Sequence, residues 1–202
     1  NTGHKDAESI EVNLKSAHPG ITASYADNNR QWMGTLPAGE TKDMTFTVDL
    51  AENLSSGVYN MSAEVNYRDV DENRYEKTLQ FPLRVESRPY LEIVNYTGSG
   101  RAGEAGELQV WVKNTGEDSA EAVDMRIIKQ SSQPFAFDVR SDYIGELEPG
   151  ETGQAIFNFD VLSGADLKAH DFQLFLRAKG DSDEGDDRVY TYSRKAAYEV
   201  TG

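Results

Sequence analysis

The most constraining feature of this chain is an internal repeat. Asn-Thr-Gly at residues 1–3 recurs at residues 114–116, and each copy is followed by an alanine and then by apolar residues at every second position. The segment GTLPAGET at residues 34–41 returns as GELEPGET at residues 145–152. Repetition on this scale is typical of modular proteins built from similar folding units. It favours a spacer or a binding surface over a catalyst.

Apolar and polar residues alternate through most of both copies, as expected for strands with one buried face and one solvated face. Pro82 lies inside one predicted strand, which should therefore lie at a sheet edge or be bulged. The predicted strands are Glu8–Lys15, Lys42–Leu50, Val58–Tyr67 and Tyr75–Val85 in the first copy, and Tyr90–Val94, Glu107–Lys113, Glu121–Lys129, Gly153–Val161, His170–Lys179 and Arg188–Val200 in the second, with a further short strand near Phe135–Val139.

Short strands separated by Gly, Pro, Asn and Asp turns indicate an all-β fold of two tandem immunoglobulin-like β-sandwich domains. We place the domains at residues 1–87 and 88–202. Phe46 and Phe157 should occupy equivalent buried positions in them, since both follow the repeated turn at the same distance.

The two copies differ at their starts. The second has two predicted strands between Tyr90 and Lys113, ahead of its Asn-Thr-Gly, and the first has no equivalent in this sequence. A sandwich that lacks its opening strands leaves apolar residues and a sheet edge uncovered. We expect Ile10, Val12 and Leu14 to be partly uncovered. The first domain should be completed by a strand of another copy, as in a strand-swapped homo-oligomer, or by an upstream segment.

Composition excludes several classes of protein. The net charge of −15 and the pI of about 4.6 disfavour binding to nucleic acid. No apolar run is long enough for a transmembrane helix, so we expect no membrane insertion in this segment. Without cysteine there is no disulfide, thiolate nucleophile or cysteine-bound zinc. No G-x-S-x-G elbow occurs, and we predict neither catalytic residues nor an organic cofactor.

Residues 98–103 match the G-x-G-x-x-G pattern of dinucleotide-binding loops. That pattern binds pyrophosphate only when a helix follows it. A strand, Glu107–Lys113, is predicted next, so these glycines are expected to form a flexible surface loop.

Two acidic loops are the candidate metal sites, because alternating carboxylates can surround Ca²⁺ with hard oxygen ligands. The alternative is that both are solvated hairpin tips, which favour Asp, Asn and Gly in any case. The candidate calcium ligands are Asp69, Asp71 and Asn73 in the first copy and Asp181, Asp183 and Asp187 in the second.

Three Asn-x-Ser/Thr sequons, at Asn53, Asn60 and Asn95, are candidate glycosylation sites if the protein is exported. Asn53 and Asn95 are expected in loops, and Asn60 on the outer face of its strand.

The order of these features resembles the immunoglobulin-like domains repeated in archaeal S-layer-related cell-surface proteins. It is also similar to the CARDB type (cell-adhesion-related domain in bacteria) and to the immunoglobulin-like module of some bacterial glycosidases. The resemblance implies a secreted, tandem module without catalytic residues. The expected function is a structural or adhesive segment of a larger extracellular cell-surface protein, in contact with its own copies, neighbouring surface proteins or polysaccharide. The alternative is a carbohydrate-associated accessory module of a secreted glycosidase.

Overall fold

The computed structural model describes residues 1–24 and 29–202, and these residues fold into β-structure and loops. The predicted all-β class is confirmed. The chain forms two compact units, unit 1 (Asn1–Glu86) and unit 2 (Ser87–Gly202). Their immunoglobulin-like identity stays a prediction. None of the described residues belongs to a helix long and apolar enough to cross a membrane.

Unit 1 contains a four-stranded antiparallel sheet in the order β3-β1-β5-β6, and a small sheet of β2 and β4. Within the described residues β6 pairs with β5 alone, so the strand that contains Pro82 lies at a sheet edge, as predicted. The strands are β1 (Ala7–Ser16), β2 (Ile21–Ala23), β3 (Arg30–Leu36), β4 (Val48–Leu50), β5 (Gly57–Asp69) and β6 (Arg74–Val85).

Unit 2 contains two larger sheets that enclose one core, in the orders β12-β10-β14-β15-β8 and β11-β13-β9-β7. Strand β8 runs parallel to β15, and the other pairings are antiparallel. The strands are β7 (Leu91–Thr97), β8 (Ser99–Arg101), β9 (Ala105–Asn114), β10 (Ala120–Ile128), β11 (Phe135–Ala136), β12 (Ser141–Leu147), β13 (Thr152–Val161), β14 (Ala169–Lys179) and β15 (Val189–Thr201).

The sequence repeat is also a repeat of topology. Strands β3-β1-β5-β6 follow the same order as β12-β10-β14-β15, and β2 pairs with β4 as β11 pairs with β13. Even a β-bulge recurs. In unit 1, Ser9 has a positive φ of 51° and precedes Ile10, which pairs with Gly34. In unit 2, Ala122 has a positive φ of 49° and precedes Val123, which pairs with Gly145. Residues other than glycine rarely adopt such a φ, so its occurrence at the same place in both units indicates that the bulge is part of the repeated fold. Strands β7, β8 and β9 have no counterpart in the described part of unit 1.

The glycine-rich segment at residues 98–103 contains the short strand β8 and packs against the core of unit 2. A Cβ atom at Gly98, Gly100 or Gly106 would overlap the side chain of Tyr198, which is fully buried. The expected flexible surface loop is therefore wrong in part. Two glycines of the pattern lie close to a large ring, because only glycine lets the backbone approach it so closely.

The core of unit 1 is much smaller. Leu14, Ile21 and Met61 form its buried cluster, with Phe46 packed against it but only half-buried. Phe157 is 2% exposed, so of the two phenylalanines that were expected at equivalent buried positions, both pack against a core but only Phe157 is buried.

The predicted strand Lys42–Leu50 is shortened to its last three residues, β4. The reason lies in the pairing of its counterpart, because β13 pairs with β9 over nearly its whole length. Residues 41–47 form no such pairing in the described part of unit 1, and without a neighbouring strand they do not adopt regular β-structure.

The expected exposure of β1 is also wrong. Ile10, Val12 and Leu14 are 4%, 8% and 9% exposed, because β1 is central in its sheet. Apolar residues of the edge strand β6 are uncovered instead, since Leu79 and Phe81 are 47% and 40% exposed.

Candidate functional site

An exposed aromatic side chain lies at the same place in both units. Trp32 on β3 is 67% exposed and Tyr143 on β12 is 68% exposed. Trp32 pairs across the ladder with Glu11, and Tyr143 with Asp124. Because β3 and β12 are the outer strands of equivalent sheets, the two rings mark one repeated surface position.

Each of these edge strands is tied to the segment after the repeated turn by the residue before the aromatic. Gln31 donates from Nε2 to the carbonyl oxygen of Thr45 at 2.6 Å, and Asp142 accepts at Oδ2 from the backbone N–H of Ile156 at 2.8 Å. Both bonds join the edge strand to the segment after the repeated turn. They hold the strand in place while the next side chain projects into solvent.

Carboxylates lie beside both rings. Glu11, the partner of Trp32, forms an ion pair with Arg30 at 3.2 Å, and Asp124, the partner of Tyr143, lies 3.8 Å from Arg177. An apolar ring next to carboxylate acceptors and a cation can contact a flat ligand and also hydrogen-bond its polar groups. We define these two places, Trp32 with Glu11 and Tyr143 with Asp124, as the aromatic edge sites.

The sequence analysis missed both aromatic edge sites because it predicted neither β3 nor β12. An edge strand with one solvated face and a glycine inside it shows no regular alternation. The repeat itself contained the signal, since each aromatic stands two residues before the glycine that opens the repeated turn.

The asparagine of each Asn-Thr-Gly fixes the start of its unit through its side chain. Asn114 is fully buried, and its Nδ2 donates to the carbonyl oxygens of Asp118 and Leu147, both at 2.8 Å. Asn1 Nδ2 donates to those of Lys5 and Leu36, both at 2.9 Å. Asn114 does not have a positive φ. Both asparagines act through their side chains, because one amide can satisfy several backbone groups at once.

In unit 1 the candidate calcium ligands form a hydrogen-bonded hairpin tip. Asp69, 8% exposed, accepts bonds from the backbone N–H groups of Asp71 and Asn73, from the Asn73 side chain and from the Tyr75 hydroxyl. Lys5 forms an ion pair with Asp71. The hydrogen bonds from Asn73 lower the pKa of Asp69, and the bond to Asp69 raises the pKa of Tyr75.

In unit 2 two carboxylates, Asp181 and Asp186, accept the hydrogen bonds of the hairpin tip. Asp181 accepts from the backbone N–H groups of Asp183 and Glu184. Asp186, which was not a candidate, accepts from Arg188 and from the Tyr190 hydroxyl, both at 2.7 Å. Burial disfavours the charged form of Asp186, but the hydrogen bonds from Arg188 and Tyr190 outweigh this effect, so the pKa of Asp186 is lowered. Burial and the bond to Asp186 raise the pKa of Tyr190. Asp183 and Asp187 are exposed.

In the described ranges no group of three or more His, Cys, Asp or Glu side chains is arranged to hold a metal ion. Calcium binding by these loops stays a prediction.

The three sequon asparagines are all exposed. Asn53 lies in a turn and Asn60 on β5, as expected, whereas Asn95 lies within β7 beside a register shift and not in a loop. Each is accessible to a glycan, and glycosylation itself stays a prediction.

Comparison with known proteins gives limited information. No protein-family model matches the chain. An uncharacterized protein of Methanocaldococcus jannaschii is 32% identical over 192 residues, which are 95% of this chain and 34% of that protein. The chain thus spans about a third of the length of this relative. The crystal structure of red sea bream transglutaminase aligns with 100% of this chain and with 28% of the transglutaminase chain, at 12% sequence identity. The TM-score of 0.35 is too low to support a conclusion.

Proposed function

We propose that this chain is a non-catalytic, adhesive segment of a larger extracellular cell-surface protein, and that its aromatic edge sites contact surface polysaccharide. The repeated unit architecture and the net charge of −15 support a modular surface protein. The likeness to a protein of Methanocaldococcus jannaschii, an archaeon, supports an archaeal origin.

The observation that carries the proposal is the recurrence of a solvent-exposed ring at one position of two units. Exposed single aromatics are common, but Trp32 and Tyr143 have the same ladder position and nearly the same exposure. A ring face is electron-rich and attracts the polarised C–H groups of a pyranose. The carboxylates of Glu11 and Asp124 can accept hydrogen bonds from sugar hydroxyls. Where both sites engage one repetitive polymer, the polymer would bind more tightly than it does to either site alone.

The test is binding of the intact chain to a glycan array, followed by titration calorimetry with the best oligosaccharide. Trp32→Ala and Tyr143→Ala should each weaken binding about tenfold, since a buried aromatic contact contributes about 1–2 kcal/mol. Both rings are exposed in the free protein, so the thermal stability of the variants should stay within about 0.5 kcal/mol of the parent.

Val139→Ala is the matched control, because Val139 is 63% exposed and apolar but is not aromatic. Its affinity should equal that of the parent. If the parent binds no glycan, or if the aromatic variants bind as well as the Val139 variant, the polysaccharide contact is wrong.

The second candidate function is a carbohydrate-associated accessory module of a secreted glycosidase, and the same exposed rings favour it. The two functions differ in the rest of the polypeptide. A catalytic domain in the same gene would support the accessory module, and a membrane anchor or further repeats would support the surface protein.

A further inference from the structure

Unit 1 presents an uncovered apolar face on β6. In unit 2 the corresponding face of β15 lies under β7: Tyr192 donates its hydroxyl to the carbonyl oxygen of Pro89 at 2.5 Å, and Arg194 Nη2 donates to that of Leu91 at 2.9 Å. By ladder register Leu79 corresponds to Arg194, and Phe81 to Ala196. Ala196 is 3% exposed, whereas Phe81 is 40% exposed. Phe81 and Leu79 thus present to solvent the face that β7 covers in unit 2.

The same unit has an unpaired backbone edge. Residues 152–158 of β13 pair with β9, from Thr152 with Lys113 to Asn158 with Glu107. The equivalent residues 41–47 have no strand partner in the described parts of unit 1, although Phe46 still packs against the core. The carbonyl oxygens of Thr45 and Thr47 accept hydrogen bonds from Gln31 and Ser24. No described strand lies on the edge that β9 occupies in unit 2, and such an open edge is a template for another strand.

The Asn-Thr-Gly turn of unit 1 is shaped to receive a further strand. In unit 2 the Oδ1 atom of Asn114 accepts from the N–H of Tyr90 at 3.1 Å as well as from that of Gly116. A Cβ atom at Gly116 would overlap the backbone at Arg88, Pro89 and Tyr90, so the segment that leads into β7 touches this glycine.

The matching atoms in unit 1 are free for the same contacts. Asn1 Oδ1 accepts from Gly3 at 3.0 Å, and a Cβ at Gly3 would meet only that oxygen, at 3.2 Å. Of the described residues, none approaches Gly3 from the side on which Tyr90 approaches Gly116.

We propose that the open face of unit 1, formed by residues 41–47, β6 and the Asn1–Gly3 turn, binds a two-stranded β-hairpin with the alternating pattern of β7 and β9. The hairpin is supplied by the same polypeptide on the N-terminal side of Asn1. The apolar face, the free edge and the turn each match a surface that β7 or β9 occupies in unit 2. This inference is independent of the polysaccharide proposal.

Two observations favour the same polypeptide over a second copy. Strand β9 runs directly into Asn114, so its equivalent would run directly into Asn1 without a linker. A second copy would have to donate its own β7 and β9. Leu91 and Leu108 of these strands are fully buried in unit 2, so their removal would expose the core of unit 2 in order to cover unit 1.

The experiment extends the 202-residue chain with a second copy of residues 90–113 joined to Asn1, which restores the Lys-Asn-Thr-Gly sequence found at residues 113–116. Hydrogen exchange followed by mass spectrometry then reports on residues 41–47. Exchange of these amides should slow at least about tenfold in the extended chain, because new strand pairing protects them. Binding of a hydrophobic dye should fall as Leu79 and Phe81 are covered.

The control extension carries serine at the five core-facing positions of the copied strands, so its length and connection are unchanged but its core face is lost. These positions are Leu91, Ile93, Leu108, Val110 and Val112. A second control is Gly3→Ala, which should leave the 202-residue chain unaffected and reduce the protection gained by the extended chain.

Equal exchange at residues 41–47 in both extended chains would overturn the proposal. Protection that disappears on dilution, together with a dimer in light scattering, would assign the hairpin to a second copy and would also overturn it.

Discussion

Single residues in unit 2 carry large structural consequences, and Tyr198 is the clearest case. Its ring is fully buried against three glycines, and its hydroxyl has no hydrogen-bond partner among the described residues. Burial raises the pKa of this hydroxyl. A buried O–H without a partner has lost its hydrogen bonds to water and gained none in return.

We therefore expect Tyr198→Phe to raise the free energy of unfolding of unit 2 by about 1–2 kcal/mol. Urea denaturation of the intact chain measures this. Tyr192→Phe is the matched control, because the Tyr192 hydroxyl donates to the Pro89 carbonyl at 2.5 Å and its loss should destabilise by about 1 kcal/mol. A Tyr198 variant less stable than the parent would contradict the expectation.

At the scale of elements, the hairpin tip between β5 and β6 depends on one carboxylate. Asp69 accepts its bonds from Asn73, Asp71 and Tyr75, and these bonds favour the charged form. The pKa of Asp69 in the folded protein therefore lies below its unfolded value. Its stabilisation of unit 1 is complete above the unfolded pKa of about 3.9, and it is lost as the pH falls through the folded pKa.

Carbon-13 NMR titration of the Asp69 carboxyl should show this lowered pKa directly. Asn73→Ala removes the largest cause, so the pKa should rise toward the ordinary aspartate value. Asn53→Ala, at an exposed turn elsewhere in unit 1, should leave the pKa unchanged. An Asp69 pKa that is the same with and without Asn73 would show that these hydrogen bonds do not set it.

At the scale of the whole molecule, the two units have unequal cores. Unit 1 relies on Leu14, Ile21 and Met61, whereas the cluster of unit 2 draws residues from both of its sheets. Stability from apolar burial grows with the area removed from water, at about 25 cal/mol per Å². Unit 1 should therefore be the less stable of the two.

We expect two transitions in urea, with the amides of unit 1 losing protection from hydrogen exchange first. Met61→Ala should shift only the first transition, by about 2–5 kcal/mol, and Phe172→Ala only the second, by about 3–5 kcal/mol. Met61 is 3% exposed and Phe172 is fully buried, so both truncations leave cavities. One coincident transition for both units would refute this difference in stability.

The sequence by itself determined the features that depend on local pattern. Alternation identified the long strands, because a side-chain period of two is imposed by the pleat wherever one face is buried. The repeat aligned Phe46 with Phe157, and a proline correctly placed β6 at a sheet edge, because proline lacks the N–H that a central strand must donate.

Only the tertiary structure decided what depends on neighbours distant in the chain. Phe46 and Phe157 follow the same local pattern, yet their burial differs because β9 pairs with the strand of Phe157 and no described strand of unit 1 does so for Phe46. The aromatic edge sites escaped prediction for a related reason. An exposed edge strand is defined by the one strand beside it, and its own residues carry little trace of that contact.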